Sequence, residues 1–213
     1  MKKIIFLGAV ALFGVMNAQS TKFGIKGGYS LSTLQKESDI LTTSSDGKST
    51  YYVGGLVEHK LNNKFALQGE ILYSLLGGWY SMSRYSSEFL YNYEADIKLA
   101  TLQVPLMAKF YFTENIALAG GVNLGFILSA DEEWTDKLLL FPDEMSTYSG
   151  SNDMNDKISS VNFAPFIGAE YNLGNGLFFD ARYNIGVSNL NNSGLEDELL
   201  KVGFFQAGLG YKF

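Results

Sequence analysis

The chain has no cysteine, one histidine and three prolines in 213 residues. Without cysteine there is no disulfide framework and no thiolate chemistry. A single histidine leaves little for imidazole catalysis, and no Ser, His and Asp grouping or metal-ligand spacing stands out. Bases are in deficit as well, with 16 Lys and Arg against 22 Asp and Glu. The resulting formal charge of −6 speaks against a nucleic-acid partner, because phosphate binding needs clustered cations. Past the N-terminus no run approaches the ~20 apolar residues that a helical membrane span requires. Glycine (23 residues) and aromatics (15%) are abundant, in a length that suits one domain.

The segment 1–18 stands apart. Lys2 and Lys3 precede a short apolar run at 4–15, and Ala18 places a small residue before Gln19. This is the layout of a secretory signal cleaved after Ala18; the run is too short for an anchoring helix. The mature domain, 19–213, then keeps 14 basic and 22 acidic side chains.

From position 22 onward, apolar and polar residues alternate. The last stretch shows it most clearly, with Phe205, Ala207, Leu209, Tyr211 and Phe213 on one face and Gln206, Gly208, Gly210 and Lys212 on the other. A period of two is the mark of a β-strand with two unlike faces. The pattern recurs at 22–32, 51–61, 65–74, 98–112, 118–128, 158–172 and 177–187. Tight-turn signals separate some of these segments, at Asn62 and Asn63, at 113–115 and at 174–176. Long polar stretches separate the others, at 36–50, 84–97, 131–157 and 188–201, and hold 17 of the 22 acids.

The strict alternation of short and long connections predicts an all-β fold. It is an eight-stranded antiparallel up-and-down transmembrane β-barrel, with three short periplasmic turns and four long extracellular loops. A lipocalin-like soluble barrel has the same strand count but turns its apolar faces inward. Aromatics at the strand ends, namely Tyr29, Tyr51, Tyr73, Phe112, Tyr171, Tyr183, Tyr211 and Phe213, favour lipid outside. Pro105 and Pro165 conflict with a continuous ladder, so a bulge or local break is expected at each.

The opposite face carries Lys26, Glu58, Lys60, Glu70, Lys109, Glu170, Asp180, Arg182 and Lys212. In a narrow barrel these are expected to fill the lumen as a network of paired charges; a gated polar path is the alternative. His59 is expected to point outward near the turn end, as an interfacial side chain. Among the loop acids, Asp131, Glu132, Glu133, Asp153 and Asp156 are candidate ligands for a divalent cation. The segment 153–157 lacks an EF-hand pattern, and a solvated acidic surface is the plainer reading. Leu138 to Phe141 is the sharpest apolar run in the loops, either a local cluster or a contact patch.

The segments KFGIKGGY at 22–29, FALQGEILYS at 65–74 and LQVPL at 102–106, with the terminal strand, resemble the PorT-like outer-membrane β-barrel family. The architecture is similar to that of OmpX and the OmpA barrel, and the likeness covers essentially the whole mature chain. It implies a cofactor-free monomer seated in outer-membrane lipid and lipopolysaccharide. It also implies insertion by the barrel-assembly machinery, with Phe205, Leu209, Tyr211 and Phe213 as the assembly signal, and a link to protein secretion or to surface proteins. A loop-borne adhesin or receptor and a small-solute channel are the alternatives; an enzyme is not expected.

Overall fold

The computed structural model describes residues 20–37, 42–43, 46–140, 144–192 and 199–213, so the leader expected at 1–18 lies outside the described residues. Ten strands follow one another: β1 (Thr21–Glu37), β2 (Thr42–Thr43), β3 (Asp46–Lys60), β4 (Phe65–Tyr85), β5 (Phe89–Tyr111), β6 (Ile116–Leu140), β7 (Glu144–Asp153), β8 (Val161–Asn172), β9 (Leu177–Asn184) and β10 (Leu199–Lys212). Eight of them form the barrel in the order β1, β3, β4, β5, β6, β8, β9, β10, and β10 pairs with β1 to close it. The small β2 adds to the end of β1, and β7 adds to the far half of β6.

Register fixes the dimensions. Cross-strand partners lead from Lys22 through Glu58, Gln68, Met107, Gly121, Phe166, Asn184 and Phe204 back to β1 at Ser32, ten residues further on. With ~3.3 Å per residue and ~4.8 Å between strands, that offset tilts the strands by about 41°. Eight strands at this shear leave an interior just wide enough for side chains.

The alternation seen in the sequence becomes inside and outside. Phe23, Phe65, Phe110, Phe112, Tyr171, Phe179, Tyr211 and Phe213 ring the turn end of the outer wall, all exposed. Tyr29, Tyr51, Tyr73, Phe126, Phe163, Tyr183 and Phe205 form a second ring further up. Ile25, Val53, Ile71, Leu106, Leu118, Ile167 and Leu209 lie exposed between the rings. A belt of this extent is incompatible with water and fits the hydrocarbon of a bilayer. The lipocalin-like arrangement is thereby excluded.

Two expectations need correction. Residues 84–97 are not a loop: β4 and β5 stay paired up to Tyr85 and Leu90, and only Ser86, Ser87 and Glu88 form the tip. Likewise most of 131–157 is strand, because β6 runs to Leu140 and carries β7 beside it. Together β4, β5, β6 and β7 rise past the upper aromatic ring as a four-stranded blade. Above the membrane both faces of a sheet are wet, so the alternation that marks strands lower down is lost. Second, β8 starts at Val161 and β9 ends at Asn184, short of the expected limits. There Ile185 N donates to Pro165 O (2.9 Å) and the Ser188 hydroxyl donates to Phe163 O (3.0 Å), so a side chain stands in for the ladder.

The local break expected at Pro105 and at Pro165 is present, in each case without a bulge. Pairing between β4 and β5 is interrupted opposite Glu70 and Ile71, yet the register is the same on both sides of the gap. Pro165 lies where the β8–β9 ladder stops. Register shifts occur instead between Gly47 and Tyr52 and between Ala100 and Thr101.

Candidate functional site: the filled lumen and the protruding blade

The lumen is filled in layers, beginning at the turn end. Lys109 Nζ donates to Glu58 Oε2 (2.8 Å), Glu170 Oε2 (2.5 Å) and Gln68 Oε1 (2.5 Å). Lys212 Nζ donates to Glu58 Oε2 (2.8 Å), Glu170 Oε1 (2.5 Å) and Asn172 Oδ1 (3.2 Å), and the Tyr111 hydroxyl donates to Glu58 Oε1 (2.9 Å). One level up, Arg182 Nη2 reaches both oxygens of Glu70 (2.9 and 2.8 Å) and Asp180 Oδ2 (3.1 Å). Lys26 Nζ joins Asp180 Oδ2 at 2.6 Å and Glu70 Oε1 at 3.5 Å. Each level therefore holds two acids and two bases, all buried except the half-buried Asp180. An uncompensated charge at such depth costs several kcal/mol, so the balance within each level is what lets the barrel close around them.

Small residues make the room. A Cβ at Gly208 would lie 2.3 Å from the Tyr52 hydroxyl, and one at Gly210 would lie 2.3 Å from the Phe178 ring. Through these gaps Tyr52 comes to lie under Lys26 (5.4 Å, ring centroid) and Phe178 under Lys212 (4.7 Å). Lys60 departs from the expected network. It is the last residue of β3, exposed at the mouth, and lies over the Tyr111 ring at 4.7 Å without an ion pair among the described residues.

Above the charges sits a layer of amides. Asn123 Nδ2 donates to Gln103 Oε1 and Asn184 Oδ1 (both 3.2 Å), and Gln206 Nε2 donates to Gln103 Oε1 (3.3 Å). Above the amides is an apolar plug of Leu34, Leu76, Leu99, Leu200, Val202 and Phe204, packed with Ile97, Ile158 and Leu190. This plug is not apparent from sequence, because Ile97, Leu190 and Leu200 fall in stretches whose composition is that of polar loops. Between Glu70, Lys109 and Arg182 the free space is about 10 Å³, room for one water at most. A wider vestibule of about 210 Å³ opens at the turn-end mouth, around Lys60, Tyr111 and Asn172. His59 lies beside that end, its Nδ1 2.9 Å from Thr21 Oγ1.

The blade has two unlike faces. On the outer one Lys48 pairs with Asp96, Lys98 with Glu133 (2.5 Å) and Lys137 with Glu94 (3.5 Å). The hydrogen bond from Lys98 holds the Glu133 carboxyl below its ordinary value and raises Lys98 in turn. On the face continuous with the lumen, the Tyr91 hydroxyl donates to Asp136 Oδ1 (3.0 Å) and the Tyr93 hydroxyl to Glu132 Oε1 (3.3 Å). Asn152 Nδ2 donates to Glu132 Oε2 (3.1 Å), and Trp134 lies flat over Gly150, where a Cβ would come within 2.8 Å of the indole. Burial, followed by the Glu132 charge, pushes the Tyr93 hydroxyl up to about 12. The hydrogen bond to Asp136 raises Tyr91.

The strand alternation also separates the candidate metal ligands. Glu132 lies on the opposite face from Asp131 and Glu133, and Asp153 Oδ1 is engaged by Asn155 N (2.8 Å). Asp156 lies in a turn beyond β7, and no group of three or more potential ligands occurs among the described residues. Leu138, Leu139 and Leu140 likewise alternate along β6 and form no continuous patch, while Phe141 lies outside the described residues. Tyr91, Tyr93 and Trp134 are visible in the sequence as loop aromatics. Their convergence with Glu132 and Asp136 is legible only once strand pairing is known.

A closed eight-stranded wall with a lipid belt and a charged interior defines an integral barrel of the bacterial outer membrane. The chain belongs to the family described as the outer membrane protein beta-barrel domain, whose model matches residues 17–192. Among solved structures it is similar to Ail, the attachment invasion locus protein of Yersinia pestis, at 18% identity, covering 91% of this chain and 99% of that one with a TM-score of 0.43. Neisserial surface protein A is 14% identical, with 90% and 97% of the chains covered and a TM-score of 0.45. OprG of Pseudomonas aeruginosa is 16% identical, with 91% and 96% covered and a TM-score of 0.39. Comparison with curated protein sequences gives no match.

Proposed function

We propose that the barrel is an anchor and the blade its working part, so that the protein acts as a non-enzymatic interaction protein on the cell surface. The contrast between the two halves carries this reading. In the lumen the charges neutralise one another beneath an apolar plug. The blade segments 79–98 and 131–153 instead hold ten acids and three bases. They end in β7, which among the described residues pairs only with β6 and so presents a second edge without a partner strand there. A free strand edge is a template for an added strand, and an acidic sheet selects what approaches it.

The test is a trimmed barrel in which two-residue turns join Tyr80 to Ala95 and Trp134 to Gly150. Cells displaying the intact protein should adhere to surfaces coated with extracellular polypeptides, and cells displaying equal amounts of the trimmed form should not. Equal adhesion by both would contradict the reading. A role in secretion, the finer implication of the PorT-like likeness, rests on segments 22–29, 65–74 and 102–106, all in the barrel wall. It predicts a secretion defect on deletion of the whole protein; unaltered secretion would argue against it. The lipid-facing Phe205, Leu209, Tyr211 and Phe213 supply the surface that the assembly machinery would read on the closing strand.

A further inference from the structure

The lumen-side face of the blade has an unequal stock of donors and acceptors. Both tyrosine hydroxyl protons are committed, Tyr91 to Asp136 and Tyr93 to Glu132, so these hydroxyls can offer an incoming group only lone pairs. The carboxylates add further acceptor sites. Among the described residues neither Glu132 nor Asp136 forms an ion pair, in contrast to Glu94, Asp96 and Glu133 on the other face. Among the described residues, strand alternation leaves Arg84, opposite Tyr91, as the one base of the blade on this face. Beside the carboxylates stand the Tyr91, Tyr93 and Trp134 rings, whose faces attract cations.

A neutral sugar presents as many acceptors as donors and would leave several of them unmatched here. An ammonium or guanidinium group presents donors only, carries the complementary charge, and stacks on aromatic faces. We infer that this face of the blade binds the Lys and Arg side chains of a basic, extended polypeptide segment of a partner protein. The inference rests on the reading of the blade as an interaction surface and names the chemistry of what it takes. Extended chain suits the geometry, since alternate side chains of a strand lying along β7 fall on one face.

The chain has two tryptophans, and they lie on opposite faces of the blade. Trp79→Phe leaves Trp134 as the reporter of the lumen-side face, and Trp134→Phe leaves Trp79 as the reporter of the outer face. Each form, refolded into phosphatidylcholine nanodiscs and shown folded by heat-modifiable gel migration, is titrated with an eight-residue peptide alternating Arg and Thr. Saturable change is expected in the Trp134 signal and none in the Trp79 signal. Affinity should fall at least tenfold when Glu132→Gln and Asp136→Asn are introduced together, and should weaken with salt.

Equal affinity for a Gln–Thr peptide would overturn the inference, as would an equal response from both tryptophans or indifference to the two substitutions. Blade-dependent adhesion without Arg–Thr binding overturns this inference alone. Adhesion that survives trimming overturns the reading beneath it.

Discussion

Lys109 holds three acceptors at once, and its side chain is fully buried between Glu58 and Glu170. Lys109→Met leaves two carboxylates short of a partner in a dry interior, and should lower unfolding free energy by about 3–5 kcal/mol. Urea unfolding in micelles measures this. Lys60→Met, at an exposed mouth, should change stability by less than about 0.5 kcal/mol. Similar losses for both would mean that the layered pairing does not matter. A second residue-scale test concerns Tyr93, whose hydroxyl is raised from 10.0 to about 12. A group with a raised folded pKa stabilises the fold fully below its unfolded value, and that contribution is lost as pH rises through the folded one. The Tyr93–Glu132 contact should therefore persist at pH 10 and fail near 12. Tyrosinate absorbance, wild type minus Tyr93→Phe, should show a component with its midpoint near 12; a midpoint at 10 would contradict the contact.

The elements differ in how far they can be read from sequence. β10 is legible because lipid lies on one side and packed lumen on the other, so Leu209 and Tyr211 alternate with Gly208, Gly210 and Lys212. The inward set Lys26, Glu58, Glu70, Lys109, Glu170, Asp180, Arg182 and Lys212 is legible for the same reason. Which acid meets which base is not, since Lys109 and Glu58 are brought together by tilt and register rather than by spacing. In the blade, water bathes both faces, and Ser81, Ser83, Asn92 and Glu94 give strand residues the composition of a loop. Pairing alone makes β7 and the upper halves of β4, β5 and β6 strands. Gly150 tests that pairing: Gly150→Val thrusts a side chain into the Trp134 indole. Overpacking of this kind costs about 1–3 kcal/mol. It should shift Trp134 emission to the red in a Trp79→Phe background while heat-modifiable migration of the barrel stays the same. An unshifted emission would place Trp134 elsewhere.

At the scale of the molecule, closure and filling are one fact. A ten-residue register offset over eight strands sets a bore that side chains can span, and the sequence supplies paired charges, amides and leucines in successive layers to span it. Closure depends on β10, and Phe213, the residue after it, donates through its N to Phe23 O at 2.9 Å. Deleting Phe213 should reduce outer-membrane levels of the protein without changing the adhesion of those molecules that do insert. Surface-labelled protein normalised to total expression measures this, and undiminished levels would deny the terminal aromatic a part in assembly.

The claim on which the rest depends is that nothing passes through the barrel, which leaves the blade as the part that acts. Single-channel recording of the refolded protein in planar bilayers tests it most directly. The layered lumen predicts a quiet baseline across the voltage range, in wild type and in the trimmed form alike. Discrete, reproducible conductance steps from wild type would contradict it.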